Sequence, residues 1–164
     1  MYSKVLVPLD GSKFGERAIQ HAEEIGKLTK AEIILFQVVQ NPIRSYPIAA
    51  GQAEETKAAR EATDKAGAYL QKVASPLMAK GIKVRCIVEV GEPTGRILGK
   101  AHDEDVDLIV MSTHYSDELY KAVLGSVAEK VLLGTKRPVL LAKPERVHIA
   151  HHVDEQEVFE RKSS

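Results

Sequence analysis

Tryptophan is absent from this 164-residue chain, and cysteine occurs once, at Cys86. A single cysteine excludes an intrachain disulfide and any multi-cysteine zinc or iron–sulfur site. Its mid-strand position reads as a small core residue rather than a redox sensor. Aromatic residues make up only 5%, too few for a platform on which single-stranded bases stack. Neither sign of charge dominates: 23 Lys and Arg balance 23 Asp and Glu. Nothing therefore favours nucleic acid or an anionic membrane as partner. Apolar runs such as Ile33 to Phe36 are strand-sized, far short of a membrane span. The first residues lead into a strand without a signal-peptide pattern, so the expected location is the cytoplasm. Neither a G-x-S-x-G serine elbow nor a Walker G-x-x-x-x-G-K is present. The expectation is a protein that is not an enzyme.

What is present is an alternation of two periodicities. Lys4 to Leu9 reads as a short buried strand ended by Asp10-Gly11-Ser12, with Ser12 as N-cap of the next helix. Phe14, Ala18, Ala22, Ile25 and Leu28 give that helix its apolar stripe. A second strand covers about 31–39, and Pro42 and Pro47 mark the following loop. Ala59, Ala62, Ala66, Leu70, Val73 and Leu77 form the packing stripe of a long helix. Pro76 should kink or end it, and Gly81 should stop it. Ile82 to Val90 is a third strand, turned by Gly91-Glu92-Pro93 into a helix with proline at its first position. Ile97, Leu98 and Ala101 are that helix's inner face. Val106 to Met111 is the fourth strand. Leu119, Val123, Val127 and Val131 line the next helix, and Val139 to Ala142 is the fifth strand. Strands apolar on both faces, alternating with helices, predict a doubly wound five-stranded parallel sheet covered by helices on both faces. The α/β domain spans 1–144. The polar tail, 145–164, reads as partly disordered or a partner-binding arm.

In such a sheet ligands sit beyond the carboxyl ends of the strands, where the strand order reverses. The fourth of these loops is the most informative. Val106-Asp-Leu-Ile-Val-Met-Ser-Thr-His114 is followed by Leu124-Gly-Ser-Val-Ala-Glu-Lys-Val131. Gly125 and Ser126 open a helix, whose free N–H groups and dipole suit a phosphate. Together with V-P-L-D-G-S near the start, the V-G-E-P turn and R-P-V-L-L near the end, these segments resemble the universal stress protein family. The likeness runs from Tyr2 to about Lys143. It implies a Rossmann-like sheet of order 3-2-1-4-5 and a homodimer paired through the last strand, Val139 to Leu141. That edge, apolar and open unless paired, is a liability that a partner strand removes. The likeness also implies ATP or AMP, with Mg²⁺, as ligand.

Carried over residue by residue, the resemblance places Pro8, Leu9 and Asp10 beside the adenosine and Val38 against the adenine. Gly91 and Pro93 would border the pocket. Met111, Ser112, Thr113, His114 and Tyr115 would form the phosphate loop, completed by Gly125, Ser126 and Val127. Where relatives have glycine, this chain has Ser112 and Tyr115, and Gln37 stands where many carry histidine. A side chain at a left-handed position costs about 1–2 kcal/mol, so Tyr115 should be strained or reshape the loop. Asp117 and Glu118 would repel a polyphosphate, bind a bridging metal, or simply suit the helix dipole. Ser112, Thr113, His114, Ser116 and Ser126 would remain as donors.

The leading reading is a non-enzymatic stress-response homodimer with a degenerate adenine-nucleotide pocket. A genuine ATP- or AMP-binding sensor is the second. A slow hydrolase using His114 and a metal on the acidic pair is the third. His148, His151 and His152 have metal-ligand spacing, but in a polar tail they read as an adventitious site. The tail could also serve a protein partner. His102, at a helix end, suits the dipole. The long helix's alanine stripe reads as packing.

Overall fold

The computed structural model of the chain describes residues 1–40, 52–116 and 121–143. Five parallel strands form the sheet: β1 (Lys4–Leu9), β2 (Glu32–Val39), β3 (Val84–Val90), β4 (Leu108–Ser112) and β7 (Val139–Ala142), in the order β3-β2-β1-β4-β7. The expected order 3-2-1-4-5 is thus the observed one. The covering helices are α1 (Arg17–Thr29), α2 (Gln52–Ala79), α3 (Pro93–Asp103) and α4 (Ser126–Gly134). Strands β5 (His114–Ser116) and β6 (Lys121–Val123) form a separate antiparallel pair. The tail, Asn41 to Gly51, and Asp117 to Tyr120 lie outside the described residues.

The central strands are apolar on both faces because both are covered. Val5, Val7, Ile33, Leu35 and Val110 face α1 and α2, packing with Ala18, Ala22, Leu70, Ala74 and Leu77. Leu6, Ile34, Phe36, Ile109 and Met111 face α3 and α4, packing with Ile97, Ala101, Ala128 and Val131. Phe36 is fully buried; cutting such a side chain to alanine typically costs about 3–5 kcal/mol.

Local details depart from the pattern in four places. Ser12 does not cap α1. The helix begins at Arg17 without a side-chain cap, and Ser12 Oγ instead accepts from Gly15 N–H at 3.2 Å inside the preceding turn. Phe14 and Leu28, placed on the inner stripe by periodicity, are 49% and 84% exposed, because the buried face is carried by Ala18, Ala22 and Gly26. Pro76 neither ends α2 nor prevents it reaching Ala79. So near the helix end, a missing N–H removes only one hydrogen bond. Gly81, at φ +77°, makes the stop, while Ile82 N–H returns to the Leu77 carbonyl at 3.2 Å. Finally, Val123 lies in β6 rather than on the helix, Leu119 lies outside the described residues, and α4 is shorter than expected.

Polar groups gather at the amino ends of the strands. Asp107 Oδ2 accepts from Ser3 N–H (2.7 Å), Ser3 Oγ (2.8 Å) and Lys4 N–H (2.8 Å). Arg85 reaches Glu104 through two bonds, at 3.0 and 2.6 Å, and Glu32 at 3.2 Å. The Ser3 and Lys4 amides hold the Asp107 carboxyl below its ordinary range, and Arg85 does the same for Glu104. Depressed folded pKa values contribute stability above the unfolded pKa, and that contribution is lost as pH falls through the folded value. Unfolding followed against pH should therefore show stability dropping below about pH 4. Asp107→Ala should lose about 1–2 kcal/mol at pH 7, discounted for partial exposure, and show a flatter acid limb. An unchanged acid limb would refute the assignment.

Candidate functional site

A cavity of about 710 Å³ opens at the carboxyl ends of β1, β2 and β4. It straddles the sheet edge. Pro8, Phe36, Val38 and Met111 line it on the side of α3 and α4, with Pro93, Ile97, Gly125, Ser126, Val127 and Ala128. Leu9, Gly15 and Gln37 line it on the side of α1 and α2, with Ala62, Lys65, Ala66 and Tyr69.

The loop after β1 is wound around a carboxylate. Asp10 Oδ1 accepts from Ser12 N–H at 2.9 Å and Ser12 Oγ at 2.6 Å. Gly11 sits at φ +81°, a conformation costly for any other residue. A Cβ on Gly15 would stand 2.9 Å from Asp10 Oδ1, so a side chain here would push the Asp10 carboxylate from its place. Tyr69 donates to Glu16 Oε1 at 3.3 Å, and burial with that carboxylate pushes its hydroxyl well above the ordinary range. On the other side, Gly125 precedes α4, and among the described residues no side chain caps the amino end of α4, which lines the cavity. Glu92 caps α3, accepting from Thr94 N–H (3.0 Å) and Gly95 N–H (2.6 Å); these amides hold its carboxyl below the usual range.

Ten of the residues that the resemblance points to line the cavity: Pro8, Leu9, Asp10, Val38, Pro93, Met111, Ser112, Gly125, Ser126 and Val127. Gly91 and Thr113 are not among its described lining residues. Gly91 N–H bonds the Val39 carbonyl at 3.0 Å, and its open side faces Arg96. Thr113 is buried, with its N–H 2.9 Å from the Ala142 carbonyl. The side chains of His114, Tyr115 and Ser116 lie outside the described residues, as do Asp117 and Glu118, the acidic pair read as repelling a polyphosphate, bridging a metal or suiting the helix dipole.

Of the two outcomes expected at Tyr115, strain or a reshaped loop, the second is observed. This residue lies in β5, paired with Ala122, so the loop is reshaped into a ladder that any side chain can join. One reading of the phosphate loop needs correction: the Ser112 hydroxyl is not a free donor for a ligand. It donates to the Gly15 carbonyl at 3.1 Å and accepts from Ala18 N–H at 3.0 Å, tying β4 to the start of α1. A second correction concerns α2. Ala62 and Ala66, read as packing, line the cavity together with Lys65 and Tyr69. Helical periodicity shows which face turns inward, not whether that face meets a strand or a hollow. Gln37 carried the one signal that was visible, a polar residue late in an apolar strand.

A doubly wound domain with a cavity at the strand switch point, apolar in most of its lining with a few polar groups, belongs to the class that binds small ligands, nucleotides among them, at this edge. The comparisons narrow the class. The model of the universal stress protein family matches residues 1–143. The universal stress protein MJ0577 of Methanocaldococcus jannaschii is 32% identical over 155 residues, covering 87% of this chain and 96% of that protein. A solved structure of MJ0577 superposes with a TM-score of 0.76 at 33% identity, over 88% and 98% of the two chains. More distant in sequence is a universal stress protein of Archaeoglobus fulgidus solved in complex with dAMP. It shares the fold at a TM-score of 0.58 and 21% identity, over 85% and 97% of the chains. The chain belongs to the universal stress protein family.

The Ser112 tie makes a direct prediction. Ser112→Ala removes this bridge while Ala18 N–H still reaches the Gly15 carbonyl at 3.2 Å, and should cost about 0.5–1.5 kcal/mol in denaturant unfolding. A cost under a few tenths would mean that the tie contributes nothing.

Proposed function

We propose that this stress protein acts without catalysis, as a homodimer, and holds an adenine nucleotide with a single phosphate in the cavity. The observation that carries this is the uncapped amino end of α4, which lines one end of a cavity otherwise walled by apolar and amide groups. Such a helix end suits one phosphate through its free N–H groups and dipole. A triphosphate would need cations around it. Among the described lining residues the only cation is Lys65, on the opposite wall, while Asp10 brings a negative charge. Asp10, with its second oxygen outside the Ser12 bonds, suits ribose hydroxyls. The dAMP complex of the Archaeoglobus relative is in keeping with a monophosphate. Among the described lining residues no serine, threonine or cysteine is hydrogen-bonded to a base, which favours binding over chemistry. The dimer reading rests on β7, which ends the sheet with one edge unpaired among the described residues and with Val139, Leu140 and Leu141 only half-buried.

Calorimetry should give binding of AMP, with ATP no tighter. Ser126→Asp should weaken AMP about tenfold or more through like-charge repulsion, and leave adenosine unchanged. No heat with millimolar AMP would overturn the nucleotide reading, and equal loss for AMP and adenosine would overturn the phosphate placement. In sedimentation at micromolar concentration the chain should run as a dimer; a monomer would remove the β7 pairing.

A further inference from the structure

The two ends of the cavity differ in chemistry. One is the bare amino end of α4, next to β4. The other is a wall of small α2 side chains, Ala62 and Ala66, over Gln37 of β2. Strands β2 and β4 flank β1 on opposite sides, so a ligand with its phosphate at α4 turns its other end toward Gln37.

Gln37 is an unusual residue for its place. It follows Ile33 and Leu35 on the sheet face that α1 and α2 cover, in register with Leu9 and Val88. Its Oε1 is buried and accepts no hydrogen bond among the described residues. Its Nε2 lies toward Gly11, 3.5 Å from where a Cβ on that glycine would stand. A buried oxygen without a donor is costly, and leucine would fill the same volume without that cost. Packing alone thus gives no reason for glutamine here, whereas a ligand entering the cavity does. A primary amide offers a donor and an acceptor side by side, the pattern that pairs with one edge of a nucleobase.

We propose that Gln37 is the specificity residue that reads the nucleobase, and that Ala62 and Ala66 set the room the base has. This rests on the nucleotide reading above. With a carbonyl that accepts and an NH₂ that donates, the amide serves a heterocycle with an adjacent donor and acceptor. The selection is for such a base over an apolar ring or none.

The test compares AMP with ribose 5-phosphate, which keeps the phosphate and lacks the base, on wild type, Gln37→Leu and Ala62→Leu. Wild type should bind AMP more tightly than ribose 5-phosphate. Gln37→Leu should lose about tenfold in AMP affinity, leave ribose 5-phosphate unchanged, and melt no lower than wild type without ligand. Ala62→Leu, which narrows the base end, should also weaken AMP alone. Unchanged AMP affinity in Gln37→Leu, a matching loss for ribose 5-phosphate, or a lower unliganded melting temperature would each overturn the assignment. Wild type binding both probes equally would overturn it while leaving the phosphate site standing. Binding of neither would overturn the nucleotide reading and this inference with it.

Discussion

Strand β1 runs through the middle of the sheet, with β2 hydrogen-bonded along one edge and β4 along the other. Val5, Leu6 and Val7 are fully buried, with alternate residues committed to opposite helical layers. That double burial constrains everything else. The chain leaves β1 through α1 toward β2 and β3, then returns through α3 to pair on β1's other side. Successive crossovers of one hand therefore lay α1 and α2 on one face and α3 and α4 on the other. Loops leaving β1 and β4 diverge to opposite faces, and a hollow opens between them at the carboxyl edge.

The two edges of the sheet are used differently. At the amino edge, Ser3, Lys4, Glu32, Arg85, Glu104 and Asp107 satisfy one another in a mesh of charge-assisted bonds. At the carboxyl edge the groups are left open. The α4 amino end has no side-chain cap, and Gln37 Oε1 has no donor among the described residues. The groups that are bonded there, Ser112 to α1 and Ser12 to Asp10, shape the hollow rather than fill it. Incomplete satisfaction concentrated at one edge is what a binding site requires, because a fully bonded wall offers a ligand nothing to gain.

Much of the site was legible in sequence because strand ends and helix starts are set by local signals. Gly91-Glu92-Pro93 announced the start of α3, and Gly125-Ser126 that of α4. What was not legible depended on partners distant in the chain. Ser112 reads as a loop hydroxyl until its partners, Gly15 and Ala18, are known to lie across the fold. Thr113 is a pocket residue by adjacency, yet pairing with Ala142 turns it into the interior. Phe14 and Leu28 fit the stripe of α1 by spacing, but Phe14 lies in the turn before the helix begins at Arg17, and the small residues Ala18, Ala22 and Gly26 carry the buried face in place of Leu28.

By itself the sequence determined the alternation of strands and helices, the family, and the sheet edge at which the cavity opens. These follow from hydrophobic period, turn residues and caps, all of which act within a few residues. Tertiary structure alone decided how the loop after β4 resolves its missing glycines. A tyrosine excluded from left-handed geometry takes up the extended backbone that a neighbouring strand can pair. It alone decided that α2 closes the far wall of the cavity. Whether an alanine packs against a strand or borders a hollow depends on where another element ends, a distance that no local pattern encodes.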